Sequence, residues 1–322
     1  MDTTRRNCPQ TPAIEIASHE DIVDAATVYQ AASEALSDQL RARNPWANRE
    51  ARTEDLRQAI RVLSSLRAEN PRSVVVARQG GEVVGIAAVR IQDFHAHIAF
   101  FFVHPEVQNR GVGRRLMEQL WEVMTDAGTT VTTLASSRDP RAWQRYLRLG
   151  LYPGPPQLPF RAVNPTFPDE PPRHDGLVAR DLTVDDVERV AALDRIVRGV
   201  QRRERIGQWL AEGSEGVVVC EPGGELAGYA LVTRHQHHGQ IGPVAARTTE
   251  VSPFVMAVAL HRAGVVQRSG PLPWRIDLPG RNHLAIAPLL DAGFSAENMV
   301  TWFESETVGQ WDRYIFRDED DL

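Results

Sequence analysis

The spacing in this 322-residue chain that most suggests chemistry lies in Val103-His104-Pro105-Glu106-Val107-Gln108-Asn109-Arg110-Gly111-Val112-Gly113-Arg114-Arg115-Leu116. A β-rich run precedes it, and a helical apolar period through Leu116, Leu120 and Val123 follows, so it reads as a strand-to-helix loop. Two glycines permit backbone angles that turn successive N–H groups to one side, and the helix start adds unpaired donors with a partial positive charge. Such a cradle suits a pyrophosphate and needs no lysine. The dinucleotide fingerprint G-x-G-x-x-G fails, because Leu116 stands three residues after Gly113. On the preceding strand, alternation places His97, Ala99, Phe101 and Val103 on one face, with His97 able to exchange a proton near working pH.

The rest of the composition excludes several chemistries. All 36 basic residues are arginine, so Schiff-base, pyridoxal-phosphate and P-loop chemistry, which need a lysine amine, have no residue to use. The 42 acidic residues give a net charge of −6, four of them in the run Asp318-Glu319-Asp320-Asp321, and the nearly neutral remainder advertises no nucleic-acid partner. Cys8 and Cys220 are the two cysteines, with no C-x-x-C knuckle, and His235-Gln236-His237-His238 has no acidic or cysteine companion nearby. That cluster is expected as a solvated turn, and no metal is expected. The apolar run Ile98 to Val103 is far shorter than the roughly 18 residues of a membrane span, and the polar start lacks a signal-peptide core. A cytoplasmic protein without a membrane partner is expected, and the lysine-free, arginine- and alanine-rich usage suggests a GC-rich bacterial gene.

The elements that position the loop follow from periodicity. Ile14 to Ile16 reads as a strand, Ser18 and Asp21 as the cap of a helix through Ile22, Val23, Ala26 and Tyr29, and Thr53 as the cap of a helix carrying Leu56, Ile60, Leu63 and Leu66. Val74 to Ala77, Val83 to Ile91 and Ala96 to Val103 read as strands, the first two joined at Gly80-Gly81. A helix from Arg110, a strand at Val131 to Leu134 and a helix from Pro140 to Leu149 complete the order β-α-α-β-β-β-α-β-α-β. Antiparallel runs beside a strand–helix–strand crossover make a mixed, mostly antiparallel α/β sheet flanked by helices.

The chain also repeats itself. Gly80-Gly81-Glu82-Val83-Val84-Gly85 matches Gly223-Gly224-Glu225-Leu226-Ala227-Gly228, an offset of 223 − 80 = 143. Val74-Val75-Val76-Ala77 against Val217-Val218-Val219-Cys220 and Gly150-Leu151 against Gly293-Phe294 keep that offset, which points to a duplicated domain. The expected organisation is a flexible start over 1–12, a first copy over 13–163, a proline-rich linker over 164–176, a second copy over 177–308 and an acidic tail over 309–322.

Gln108-Asn109-Arg110-Gly111-Val112-Gly113 resembles the Q/R-x-x-G-x-G/A signature of the GNAT superfamily of acyl-CoA-dependent N-acyltransferases. Val103-His104-Pro105 is similar to the V-D/H-P strand end before that loop, and Ala142, Tyr146, Gly150 and Leu151 follow the family's A-x-x-x-Y-x-x-x-G-F spacing, with leucine for phenylalanine. The chain is thus identified as a tandem member, two GNAT-like domains in one polypeptide. The resemblance implies acetyl-CoA as acyl donor, its pyrophosphate on the amides from Arg110 to Arg114 and its pantetheine arm along the strand that ends at Val103. Val103, Gln108, Asn109, Arg110, Gly111, Val112, Gly113 and Arg114 form the implied donor-binding set, with Asp139 where relatives often carry asparagine. Tyr146 takes the family's position for the acid that protonates the departing thiolate. Ala99 stands where many relatives carry a basic glutamate, so His97 becomes the candidate base, with Glu34 or Asp38 acting through water as alternatives. The second copy has Arg247-Thr248-Thr249-Glu250-Val251 instead of a glycine loop, and Leu289 where 146 + 143 = 289 would place the tyrosine. It is expected to be degenerate, serving to wall the amine pocket, pack on the first copy or form a homodimer surface. Transfer of an acetyl group to a primary amine of a small molecule or peptide, by direct attack in a ternary complex, is the expected activity. A non-catalytic acyl-CoA sensor and a scaffold of two inert copies are the alternatives.

Overall fold

In the computed structural model, residues 11–39, 49–136 and 139–317 are described. The chain packs as two compact units, 1–134 and 135–322, dividing ahead of the expected linker. Among the described residues no helix is long and apolar enough to cross a membrane. The expected flexible start lies outside the described residues up to Gln10, Cys8 included.

The first unit runs β1 (Ala13–Ile16), α1 (Asp21–Gln39), α2 (Arg49–Glu69), β2 (Val74–Gln79), β3 (Glu82–Gln92), β4 (His95–Val103), a 3-10 turn (Pro105–Val107), α3 (Val112–Asp126) and the start of β5 (Val131–Ser136). Its strands lie in the order β1-β2-β3-β4-β5, antiparallel except for the parallel β4–β5 pair. At the head of α1, Asp21 Oδ2 accepts from both the backbone N–H and the hydroxyl of Ser18 at 2.8 Å, the expected cap. Thr53 is not a cap: α2 begins at Arg49, because the helix formers before Thr53 extend the helix by a turn. One sheet face packs Ala26 of α1 and Leu63 and Leu66 of α2 on Val76, Ile86, Ala88 and Phe100. On the other face, a Cβ at Gly85 would stand 2.9 Å from Leu116 Cδ1 and 3.4 Å from Val112 Cγ1, so the glycine lets α3 lie close on β3.

The second unit continues with α4 (Pro140–Arg148), β6 (Tyr152–Pro153), β7 (Gln157–Ala162), β8 (Val178–Asp181), α5 (Val187–Arg198), α6 (Arg203–Ala211), β9 (Glu215–Cys220), β10 (Leu226–Arg234), β11 (Gly239–Ala246), α7 (Ser252–Gln267), β12 (Trp274–Pro279), α8 (Ile286–Asp291), β13 (Ser295–Ala296), β14 (Thr301–Glu304) and β15 (Tyr314–Ile315). Its main sheet has the order β13-β7-β12-β11-β10-β9-β8. The 143-residue offset carries β5 onto β12 and β6 onto β13 with identical bounds, as 131 + 143 = 274 and 152 + 143 = 295. The last strands are exchanged between copies: β7, from the first copy, pairs with β12 and β13, while β14, from the second, pairs with β6. The expected linker is packed, because it carries an aromatic anchor: the Phe167 ring lies 5.2 Å from that of Trp274, and a Cβ at Gly264 of α7 would strike Phe167. The expected acidic tail is likewise corrected over its first half. Trp311 and Tyr314 to Arg317 are buried, and Asp318 to Asp321 lie outside the described residues.

Candidate active site

The strand-to-helix loop after β4 has the geometry of an anion cradle. Gly111, the N-cap of α3, is left-handed at φ +81°, and Asn109 is left-handed at φ +62°. Nothing lies within 4 Å of where a Cβ at Gly111 would project. No side chain caps α3 and no acid stands in its first turn. The N–H groups of Val112, Gly113 and Arg114 have no carbonyl one turn earlier to bond, as at any helix start. Val112 is buried and seats the helix on the core, Gln108 Nε2 ties the loop to the Val103 carbonyl at 3.0 Å, and Gly113 is half-buried. Asn109, Arg110 and Arg114 are exposed, and Arg114 pairs with Glu118 at 3.2 Å. Open amides, a positive helix end and two flanking guanidiniums fit a diphosphate.

Along β4 the expected alternation breaks. Ala88 pairs with Phe100 but Val89 with Ile98, so Ala99 is an extra residue, a β-bulge. The bulge carries His97 to the face opposite Phe101 and Val103, which corrects the expectation that these residues share a face: His97 pairs with Arg90, whose guanidinium reaches Glu69 of α2 at 2.8 Å. His97 is buried, and its Nδ1 lies 3.0 Å from the Thr133 hydroxyl of β5. His95 Nε2 meets the same hydroxyl at 2.7 Å. One hydroxyl can donate to one ring and accept from the other, so His97, Thr133 and His95 form a continuous hydrogen-bonded chain. Sequence reasoning missed Thr133 and His95, although two histidines at i and i+2 signal a shared face. The β4–β5 ladder runs only from His95↔Val131 to Ile98↔Leu134, and β4 extends past it to Val103. Glu34 is exposed and 3.6 Å from Arg52, and Asp38 is exposed near the end of α1.

In the second unit, Tyr146 of α4 is buried, its hydroxyl hydrogen-bonded to the Ser136 side chain and its ring 5.4 Å from that of Phe303. Burial pushes the phenol well above its ordinary pKa, against smaller opposing effects of Arg145 and the Ser136 bond, so it stays protonated throughout the neutral range. Asp139 caps α4, accepting from Arg141 N at 2.9 Å and gripping the Arg141 guanidinium at 2.8 Å. Burial acts to raise its pKa, but the Arg141 bonds outweigh it and the carboxyl is held below its usual range. His235 to His238 form the expected turn between β10 and β11, with the His235 and His238 rings stacked at 4.6 Å, and no metal-holding cluster occurs among the described residues. His238 is tucked in rather than solvated: burial first and Arg275 second push its pKa down to about 2.

Profiles of known families identify both copies. The acetyltransferase (GNAT) family matches residues 30–151, and an acetyltransferase (GNAT) domain matches residues 190–306. The chain therefore belongs to the GNAT acetyltransferases, with two such domains in tandem, in a family that uses acetyl-CoA. No curated protein matches it. Similar solved structures include a candidate acetyltransferase from Pyrococcus horikoshii, 17% identical over 97% of this chain and 96% of that one, with a TM-score of 0.68. A GCN5-related N-acetyltransferase from Sphaerobacter thermophilus is 17% identical over 98% of both chains at TM-score 0.67. A tandem GNAT protein from the clavulanic acid biosynthesis pathway is 16% identical over 92% of this chain and 99% of that one, at TM-score 0.58. At these identities the likeness is one of fold.

Proposed function

We propose that the chain transfers an acetyl group from acetyl-CoA to a primary amine of a small molecule or peptide, with binding of the donor confined to the first copy. The observation that carries this reading is the α3 start: an uncapped, acid-free helix end behind a left-handed, exposed Gly111. In this reading Gly111 to Arg114 and the Arg110 guanidinium hold the donor's diphosphate, Gln108 and Asn109 fix the loop, and the β4 segment ending at Val103 receives the arm. Asp139 serves as the cap of α4. The donor supplies a thioester: the neutral amine nitrogen forms a bond to its carbonyl carbon, the carbon–sulfur bond breaks, and the sulfur leaves with the electron pair. A backbone N–H of β4 faces the carbonyl oxygen as charge develops there. Tyr146 enters the step protonated, as its raised pKa ensures, and gives its proton to the departing thiolate. The amine's proton passes to His97, which Thr133 orients and connects to His95.

The test is thiol release from acetyl-CoA against a panel of primary amines, with wild type and Tyr146→Phe side by side. Turnover with at least one amine, lost in the variant, is the expected result. Binding of acetyl-CoA without thiol release from any amine would overturn the transferase reading and leave an acyl-CoA sensor.

A further inference from the structure

In the second copy the gap between the strands that answer β4 and β5 is filled by the chain itself. β11 carries the same irregularity as β4: Ala230 pairs with Val244 but Val232 with Ile241, which puts the extra residue at Gly242 or Pro243, and 99 + 143 = 242. β11 pairs with β12 only at Gly239↔Trp274 and Gln240↔Arg275, after which the two strands part. Tyr314 to Phe316 lies in the gap. Tyr314 and Ile315 pair with Ala245 and Val244 on one side, and the Phe316 N–H donates to the Asp277 carbonyl of β12 at 3.1 Å on the other. The Phe316 carbonyl presses so closely on Gly242 that a Cβ there would stand 2.1 Å from it.

The contacts of this segment repeat the donor positions of the first copy. The residues paired by β15 on β11 are the counterparts of Phe101 and Phe102 on β4, since 244 − 143 = 101 and 245 − 143 = 102. Asn282, the counterpart of Asp139 by 282 − 143 = 139, donates from Nδ2 to the Tyr314 carbonyl at 2.9 Å. At the loop leading into α7, the Thr249 hydroxyl donates to Asp312 Oδ2 at 3.1 Å, which ties the segment to the counterpart of the turn before the glycine loop, since 249 − 143 = 106. The segment is held just before its start and at its middle. Gln310 N–H donates to the Val197 carbonyl at 2.6 Å, and the Tyr314 hydroxyl bonds Arg202, which is itself paired with the fully buried Asp194 at 2.8 Å.

We propose that residues 311–317 are a built-in occupant of the second copy's donor slot, the 314–316 backbone taking the place of the arm, so that the chain takes up one acyl-CoA and not two. The inference rests on the reading of the α3 loop as the donor cradle. The experiment counts acetyl-CoA sites on the full chain by equilibrium dialysis, for wild type and Gly111→Glu, and follows amide hydrogen exchange at 311–317 with and without acetyl-CoA. One site in wild type, none in Gly111→Glu, and 311–317 amides at least ~100-fold slower than exposed ones in every condition are the expected results. A site that survives Gly111→Glu overturns the proposal, as does free exchange at 311–317 or protection lost on adding acetyl-CoA. A wild type that binds none removes the donor-cradle reading instead, while the exchange data still decide whether the segment holds its slot.

Discussion

The two copies present the same sheet and the same helix after its bulged strand, and neither helix has a side-chain cap or an acid in its first turn; they differ in what leads into the helix. α3 begins at a left-handed glycine, whereas α7 is preceded by Glu250 and by Thr249 in contact with Asp312. Val112 and Val255 are counterparts at 112 + 143 = 255, but α7 begins three residues before Val255, at Ser252, and so occupies part of the room the first copy leaves as loop. The second copy thus differs by a longer helix and a filled strand gap, with the sheet kept.

The sharpest break in this symmetry is at position 146 and its counterpart Leu289. Tyr146→Phe should lower kcat by about 10²- to 10⁴-fold, the usual worth of a positioned acid, while acetyl-CoA binding stays within a few-fold. In the second copy, Asp194→Ala should destabilise the fold by about 3–5 kcal/mol, because it strands the buried Arg202 that holds Tyr314. Urea unfolding would read that loss, and its absence would mean the ion pair does not lock the segment. The glycines under the two helices grade the packing. A Cβ at Gly228 would stand 2.3 Å from Val255 Cγ2 and 3.0 Å from the Ala245 carbonyl, both stiff, whereas Gly85 faces the end of the Leu116 side chain. Gly228→Ala should therefore cost about 1–3 kcal/mol and Gly85→Ala less, measured as a difference in urea midpoint.

A pH dependence is expected at His238. Its pKa is lowered on folding from 6.5 to about 2, so the unfolded chain binds the proton more readily. The stability contributed by the neutral ring is complete above pH 6.5 and is lost progressively as pH falls toward 2. His238→Gln should flatten the acid side of the stability curve, and an unchanged curve would show that the ring is solvated after all.

Much of this was legible in the sequence. Alternation, the Gly80-Gly81 turn and the 143-residue offset give the element order, and the glycine loop gives the cradle, because each is a local pattern. The face of His97 was not legible. Alternation counts residues, and the extra one at Ala99 is defined only by what β3 opposes to it. The exchange of β7 and β14 was hidden for a related reason: backbone hydrogen bonds are equivalent whichever copy donates the strand. Trp311 to Arg317 read as the head of an acidic tail because Asp318 to Asp321 dominate its composition, although Trp311, Tyr314 and Phe316 were its apolar signal.

The most direct test of a single working copy is to place one negative charge at each loop and follow thiol release from acetyl-CoA with an accepted amine. Gly111→Glu should abolish turnover, and Thr248→Glu, at the exposed loop before α7, should leave it unchanged. Turnover that survives Gly111→Glu, or is lost only in Thr248→Glu, would contradict the assignment of the chemistry to the first copy.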